Sequence, residues 1–306
     1  MKFKATICSQ GQPSMQEAVL KVLQALQRLQ RSDRRAKSCP SLVLKLTPEA
    51  FAFCHKGGAD EGSQTWSHFQ ASRLFTEYRI ESRRENKIDL EAPIANLLHV
   101  FNSCVSSDCT TLRLANGVDG RPVVNFDFSL AGNAADHRVE QEVPVRVIPE
   151  AEAEVLREPA LPEPEYQIDL PGSVSRLRNV LERMRQVGAL EVLVEAGKEA
   201  QRGQEGQCGQ RERAWLRFRA ESELVEIATT FPGLSLVMDG KSQTSPDGPV
   251  GLQLSLKRLT EVMAAVQGLN AEAHIACIIK HKALVLYAML PSNLGSLISY
   301  TPVLMS

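Results

Sequence analysis

The sequence predicts an α+β protein of two similar domains, on three observations. The first is a proline-rich, acidic stretch at its middle. Residues 142–173 hold six prolines, Pro144, Pro149, Pro159, Pro162, Pro164 and Pro171, and between Pro149 and Tyr166 six glutamates stand against one cation, Arg157. Proline removes a backbone donor and biases the residue before it toward extended conformations. Apart from Val155, Leu156 and Leu161 almost nothing apolar recurs there. The stretch therefore reads as an extended connector, neither core strand nor stable helix. The second observation is that the order of elements before the connector repeats after it. The third is a matched step from strand into helix: Ile88-Asp89-Leu90-Glu91-Ala92 before Ala95 and Leu98, and Leu252-Gln253-Leu254-Ser255-Leu256 before Leu259 and Val262. Residues 1–148 and 166–306 are thus two copies of a strand-helix-meander-helix-meander unit joined by 149–165. Each places its two helices on one side of antiparallel sheet.

The bounds agree with two domains of ordinary size. With 306 residues, 43% hydrophobic and 23% charged, the chain can build real cores. Its seven cysteines are odd in number and scattered without the spacing of a metal knuckle, so they read as reduced thiols of an intracellular protein. Residues 1–10 lack the apolar run of a signal peptide. The most apolar region, 273–290, is broken by Lys280, His281 and Lys282 and reads as a hairpin, so no membrane partner is expected. A formal net charge of −1 favours no class of partner.

In chain order, 2–8 is a short strand with Phe3, Ala5 and Ile7 on one face. Pro13 and Ser14 open a long amphipathic helix in which Met15, Val19, Val22, Leu23, Leu26 and Leu29 recur at three and four. Lys21, Arg28 and Arg31 occupy its other face and run on into Arg34, Arg35 and Lys37. A meander of strands at 42–46, 51–55, 65–70, 74–80 and 87–91 follows, cut by Thr47-Pro48-Glu49 and by the glycine-rich turn 57–62. A second helix at 93–104 turns Ile94, Leu97, Leu98 and Phe101 inward, and strands at 110–115, 122–130 and 137–148 reach the connector. Beyond it come a strand at 166–170 and a helix at 173–187 with Leu177, Val180, Leu181 and Met184 inward and Arg176, Arg178, Arg183 and Arg185 outward. Strands at 190–196, 214–219, 224–230, 234–238 and 251–256, a helix at 257–267 and strands at 271–279, 283–290 and 297–303 complete the chain. Polar loops at 197–213 and 239–249 read as surface insertions.

No enzyme is visible. Gly240-Lys241-Ser242 resembles the end of a phosphate loop, but Ser235 stands where its first glycine belongs. Gly203, Gly206 and Gly209 lie in a polar loop without strand-to-helix context, and the six histidines show neither ligand spacing nor a nucleophile motif. Neither catalysis nor a metal or other cofactor is expected.

Several stretches carry a family resemblance: the first strand MKFKATI, the helix VLKVLQALQRL, the step IDLEAPIANLLHVF, the connector ending PEPEYQIDLPGS and the tail SYTPVL. Together they resemble sliding clamps of the PCNA superfamily. The run VPVRVIPEAEAEVLREPALPEPEYQIDLP with the helix RLRNVLERM is similar to the hydroxyurea-sensitivity subunits of the heterotrimeric checkpoint clamp called nine-one-one. The likeness covers essentially the whole chain, with the loops at 197–213 and 239–249 and the run 31–39 exceeding the family pattern. It implies a DNA-clamp fold in which each chain is one third of a ring, helices lining the hole and sheets forming the wall.

From that resemblance follow three sets of candidate residues. Lys21, Arg28, Arg31, Arg176, Arg178, Arg183, Arg185, Lys257 and Arg258 would face double-stranded DNA, held through phosphates without sequence readout; the helix at 93–104 offers only His99. Ring closure would use sheet edges, one at Val123, Val124, Phe126 and Phe128, the other at Leu224, Glu226, Ala228 and Thr230. Partner peptides would pack on Val155, Leu156, Leu161, Tyr300, Pro302 and Val303. The implied partners are two RAD-type clamp subunits, a clamp loader, and repair and checkpoint proteins, in the nucleus. A self-assembling replication clamp and an unrecognised α+β enzyme stand as the alternatives.

Overall fold

In the computed structural model, residues 1–8, 15–32, 41–56, 63–130, 138–170, 174–199, 213–237 and 248–304 are described. Pro13, Ser14, Arg34, Arg35, Lys37, the turn at 57–62, the Gly203 and Gly240 motifs and most of the two polar loops lie outside them. The first domain runs β1 (Lys2–Cys8), α1 (Met15–Ser32), β2 (Ser41–Leu46), β3 (Ala50–Lys56), β4 (Gln64–Gln70), α2 (Ala71–Leu74), β5 (Glu77–Glu81), β6 (Ile88–Pro93), α3 (Ile94–Cys104), β7 (Ser107–Asn116), β8 (Pro122–Leu130) and β9 (Arg138–Pro144). The joining region forms β10 (Arg146–Val147) and α4 (Glu150–Val155). The second domain runs β11 (Tyr166–Asp169), α5 (Val174–Gln186), β12 (Glu191–Lys198), β13 (Arg213–Glu221), β14 (Glu226–Ser235), β15 (Val250–Ser255), α6 (Leu256–Gln267), β16 (Ala273–Ile279), β17 (Ala283–Met289) and β18 (Gly295–Pro302).

Strand order exposes the duplication. The sheets read β5-β1-β7-β8-β9, β10-β6-β2-β3-β4-β18-β17-β16-β11 and β14-β13-β12-β15. In chain position β1-β7-β8-β9 corresponds to β11-β16-β17-β18, and β6-β2-β3-β4 to β15-β12-β13-β14. Each domain thus makes one sheet of each kind. Across the domain boundary β18 pairs antiparallel with β4, from Gly295 opposite Phe69 to Tyr300 opposite Gln64, so two of the four half-sheets fuse into one.

That junction is close. A Cβ on Gly295 would stand 1.9 Å from the His68 carbonyl oxygen, so only glycine fits. The buried hydroxyls of Ser299 and Thr65 hydrogen-bond across it at 3.0 Å. On the other side of the sheet α1 packs against α3 and α6, and α6 against α5, making a row of helices over the core. Here Arg28 Nη1 donates to the Ala264 carbonyl at 3.3 Å. A cation at the last turn of α6 also suits the negative end of the helix dipole.

The main core lies between helices and sheets, with Phe51, Phe53, Phe69, Phe101, Phe126 and Phe218 fully buried. A second cluster, including Cys54, Trp66, Cys277, Val285 and Tyr300, covers the opposite face of the long sheet. The fused centre of that sheet is therefore buried on both sides, which is why AHIACII and ALVLYAM are nearly continuous apolar runs.

Four expectations are corrected. The strand expected at 74–80 begins only at Glu77, because Ala71 and Leu74 bury one face of the short α2 instead. The strands expected at 224–230 and 234–238 become the single β14, and Leu224 falls in the preceding turn, where the Ser222 amide donates to the Val225 carbonyl at 2.9 Å. The connector is not extended throughout. Between Pro149 and Pro159 no proline intervenes, Glu150 and Glu152 suit a helix N-terminus, and Ala153 is buried, so α4 forms. Arg146 clamps it at 2.6 Å from Glu152 and 2.5 Å from Glu91. Finally, Cys8 and Cys109 lie directly opposite on β1 and β7 and form a disulfide, while Cys54, Cys104 and Cys277 are buried and outside any disulfide. A separation of 101 residues hides that pairing from any reading of spacing.

Gly295→Ala must push the β4 backbone away and should cost about 1–3 kcal/mol or more, read as a lower urea midpoint with the two domains loosened together. His274 on β16 is buried, and burial lowers its pKa against the opposing pull of Asp169. As pH falls the unfolded chain takes that proton first, so stability present above about pH 6.5 is lost below it. Urea titrations at descending pH should show this decline, and His274→Gln should flatten it.

Candidate functional site

Helical periodicity turns one face of each long helix to the core and the other to solvent. On α1, Arg28 and Arg31 are exposed, and Lys21 is half-buried with Glu17 at 2.6 Å. On α5 the inward Val174, Leu177, Leu181 and Met184 leave Arg176, Arg183 and Arg185 exposed. Arg178 is engaged: it lies 2.8 Å from Glu182 and donates to Gln267 Oε1 on α6 at 3.0 Å. Lys257 is exposed and 3.9 Å from Glu261. Arg258 departs from the expectation. It is only 5% exposed and donates to Glu261 at 3.2 Å, because the first turn of α6 is packed under β12 and β15. A residue so enclosed cannot reach an outside phosphate.

Arg31, Arg176, Arg183 and Arg185 therefore present charge with no acidic partner among the described residues. Arg28 and Arg178 join helices while keeping their charge on the surface. The outward positions of α3, Ala95, Asn96, His99 and Asn102, bring no fixed cation to this quarter. Long cationic side chains without amide or hydroxyl groups arranged to read bases fit a phosphate backbone.

The free sheet edges form the second feature. Glu226, Ala228 and Thr230 are exposed on β14, which is bonded on one side only, to β13. Leu224 is exposed in the turn before it. The other edge is not where the sequence put it. β8 is held between β7 and β9, and its Val123, Val124, Phe126 and Phe128 are at most 5% exposed core residues. The edge is β9, RVEQEVP, whose mixture of polar residues on both faces suits a strand with one free side. Its charges are partly tied inward: Asn125 donates to Glu140 at 2.6 Å, and Arg138 forks onto Asp127, whose carboxyl it holds below the usual range.

The third feature is a groove of about 770 Å³ on the outer face of the long sheet, beneath the second half of the connector. Pro159, Leu161, Ile275, Cys277, Val285 and Tyr287 line it. At its rim Glu158 accepts a hydrogen bond from the Tyr300 phenol and lies 3.2 Å from His68 Nε2. The His68 contact and then the Tyr300 bond hold the Glu158 carboxyl below its ordinary value against burial. Burial and the neighbouring carboxylate push the Tyr300 phenol up.

Of the residues expected here, Leu161 and Tyr300 line the groove. Val155 is 71% exposed on α4, while Leu156, Pro302 and the partly buried Val303 lie outside the lining. The contributions of β16 and β17 went unread, although alternate residues of two doubly apolar strands must face outward. Among the described residues no group of His, Cys, Asp and Glu could hold a metal ion.

Comparisons with known proteins fit this geometry. The family model described as Hus1-like protein matches residues 1–305. The checkpoint protein hus1 of Schizosaccharomyces pombe is 26% identical over 237 residues, covering 74% of this chain and 76% of its own. The human checkpoint protein HUS1 is 24% identical over 245 residues, 77% of this chain and 81% of its own. The proliferating cellular nuclear antigen of Entamoeba histolytica has the same fold, with a TM-score of 0.66 over 99% of both chains at 12% identity.

Tyr300→Phe keeps the ring in the outer cluster and removes the donor to Glu158. A hydrogen bond to a charged group contributes about 1.5–3 kcal/mol. Hydrogen exchange at residues 156–165 should therefore rise roughly tenfold, with little change in the melting temperature of the sheet.

Proposed function

The chain belongs to the Hus1-like protein family, and from that premise we propose that it is one subunit of a ring-shaped checkpoint clamp, closing against two different RAD-type subunits around double-stranded DNA. The observation that carries this is the pair of unpaired edges. β9 and β14 hold the same places in their half-sheets as β18 and β4, and β18 and β4 already pair inside the chain. A neighbour offering the matching edge repeats that junction on each side. A heterologous contact of this kind makes a ring when its rotation closes.

The four long helices, α1, α3, α5 and α6, lie on one side of the sheets, so they face the hole and the sheets form its wall. Arg31, Arg176, Arg183 and Arg185, with Arg28, Lys21, Arg178 and Lys257, then surround the duplex. Retention on DNA is topological and electrostatic, and loading requires a clamp loader to open the ring. The outer groove receives apolar segments of repair and checkpoint proteins. The subunit acts as a scaffold in the nucleus without turnover of its own.

The same two edges could also pair copies of this chain with one another, as in a replication clamp. Family membership favours different partners, and both edges carry acidic residues, Glu140 and Glu142 on β9 and Glu226 on β14. Sedimentation decides between the readings. A monomer alone that forms a one-to-one-to-one complex with both partners supports the checkpoint ring, whereas a homotrimer or indifference to both partners contradicts it.

Ala228→Lys with Thr230→Lys should abolish the complex while leaving the melting temperature of the isolated chain unchanged, since charged edges resist pairing. In the assembled clamp, Arg176→Glu with Arg183→Glu should weaken DNA binding equally across sequences. It should also reduce the salt dependence, log K against log salt, by about 2, near one per lost phosphate contact.

A further inference from the structure

One end of the sheet β14-β13-β12-β15 gathers like charges beside uncovered apolar side chains. Glu221 and Glu226 are directly opposite on β13 and β14. Continuing the β12–β13 register two residues beyond Leu193 and Arg219 sets Glu191 beside Glu221, on the same solvent face. Glu223 adds a further carboxylate in the turn. Arg219 lies 2.6 Å from Glu226 and Gln253 donates to Glu191 at 2.9 Å, but no cation meets Glu221 or Glu223 among the described residues. Like charges opposite one another across strands are destabilising.

Three chain reversals meet at this same end. Gly188, with φ of +87°, ends α5 and swings the chain back toward β12. The Leu256 amide then donates to the Leu190 carbonyl at 3.0 Å, and the turn at 222–225 closes β13 onto β14. These reversals leave Leu190 82%, Leu224 93% and Val225 45% exposed. Sheet spacing near 4.8 Å places the three within reach of one short peptide.

We propose that this sheet end is a docking surface for a segment of a partner protein carrying apolar side chains flanked by lysine or arginine. Apolar residues rimmed by polar ones mark interaction sites, and the row of carboxylates selects the charge of what binds. Nucleic acid and anionic lipid are repelled by it, and a second copy would set the same carboxylates against themselves. A ring neighbour paired along β14 covers Leu224 and Val225, but Leu190 immediately precedes β12, two strands inward. The surface therefore adjoins the ring seam at Leu224 and Val225 and is separate from the outer groove; in the isolated chain all of it is open, so it does not depend on the ring reading.

The test uses the full chain and a dye-labelled amphipathic peptide of leucine and lysine, followed by anisotropy, with a counterpart carrying glutamate for lysine. The lysine peptide should bind and the glutamate peptide should not. Glu221→Lys with Glu223→Lys, and separately Leu190→Ser with Leu224→Ser, should each weaken binding roughly tenfold. All four residues are exposed, so the fold is retained, and Glu163→Lys with Glu165→Lys on the connector serves as a charge control. Three results overturn the proposal: affinity unchanged in both double variants, equal loss in the connector control, or sedimentation showing self-association that Leu190→Ser with Leu224→Ser removes.

Discussion

The antiparallel pairing of β18 with β4 is the constraint on which the rest depends. It is made by the last strand of one half-sheet and the last strand of another, and it needs the bare backbone of Gly295 against the His68 carbonyl. Because it fuses two domains through hydrogen bonds, they share one continuous sheet. Arg28 repeats the fastening on the helical side through the end of α6. A duplicated unit joined once in this way necessarily leaves one complementary strand free at each end. Those strands are β14 and β9, and their freedom turns a fold into a component of a larger closed object.

The same geometry divides the surfaces by chemistry. Amphipathic helices must give their apolar stripes to the sheets, so their charged stripes share one side, where arginine predominates on α1 and α5. The opposite face of the fused sheet is also apolar at its centre, and the connector crosses it. Glu158, gripped by Tyr300 and His68, fixes the connector at the groove's rim. One face is thus suited to a polyanion and the other to apolar segments of proteins, with the sheet itself keeping them apart.

Much of this was legible in the sequence. Periods of two and 3.6 mark most strands and all four long helices, and the repeated order around the prolines marks the duplication. What stayed hidden depends on pairing between distant residues. The family resemblance put one ring edge at PVVNFDFS, yet the apolarity of that strand is what a central strand needs, and the polar RVEQEVP is the edge. Arg258 stands at the start of its helix, where a cation looks free to point outward, but it lies four residues before the inward Val262 and so on the buried face of that turn. Cys8 and Cys109 meet only through the β1–β7 register. The connector helix is masked in the sequence by the prolines on either side of it, although the span from Glu150 to Val155 holds none.

Hydrogen exchange of the chain alone and with the two proposed partner subunits tests the central claim most directly. Amides on the free sides of β9 and β14 should exchange fast in isolation and become protected in the complex, while the edges β5 and β15 stay unchanged. Protection confined to β5 or β15, or a complex that leaves β9 and β14 unprotected, would contradict closure through the counterparts of β18 and β4.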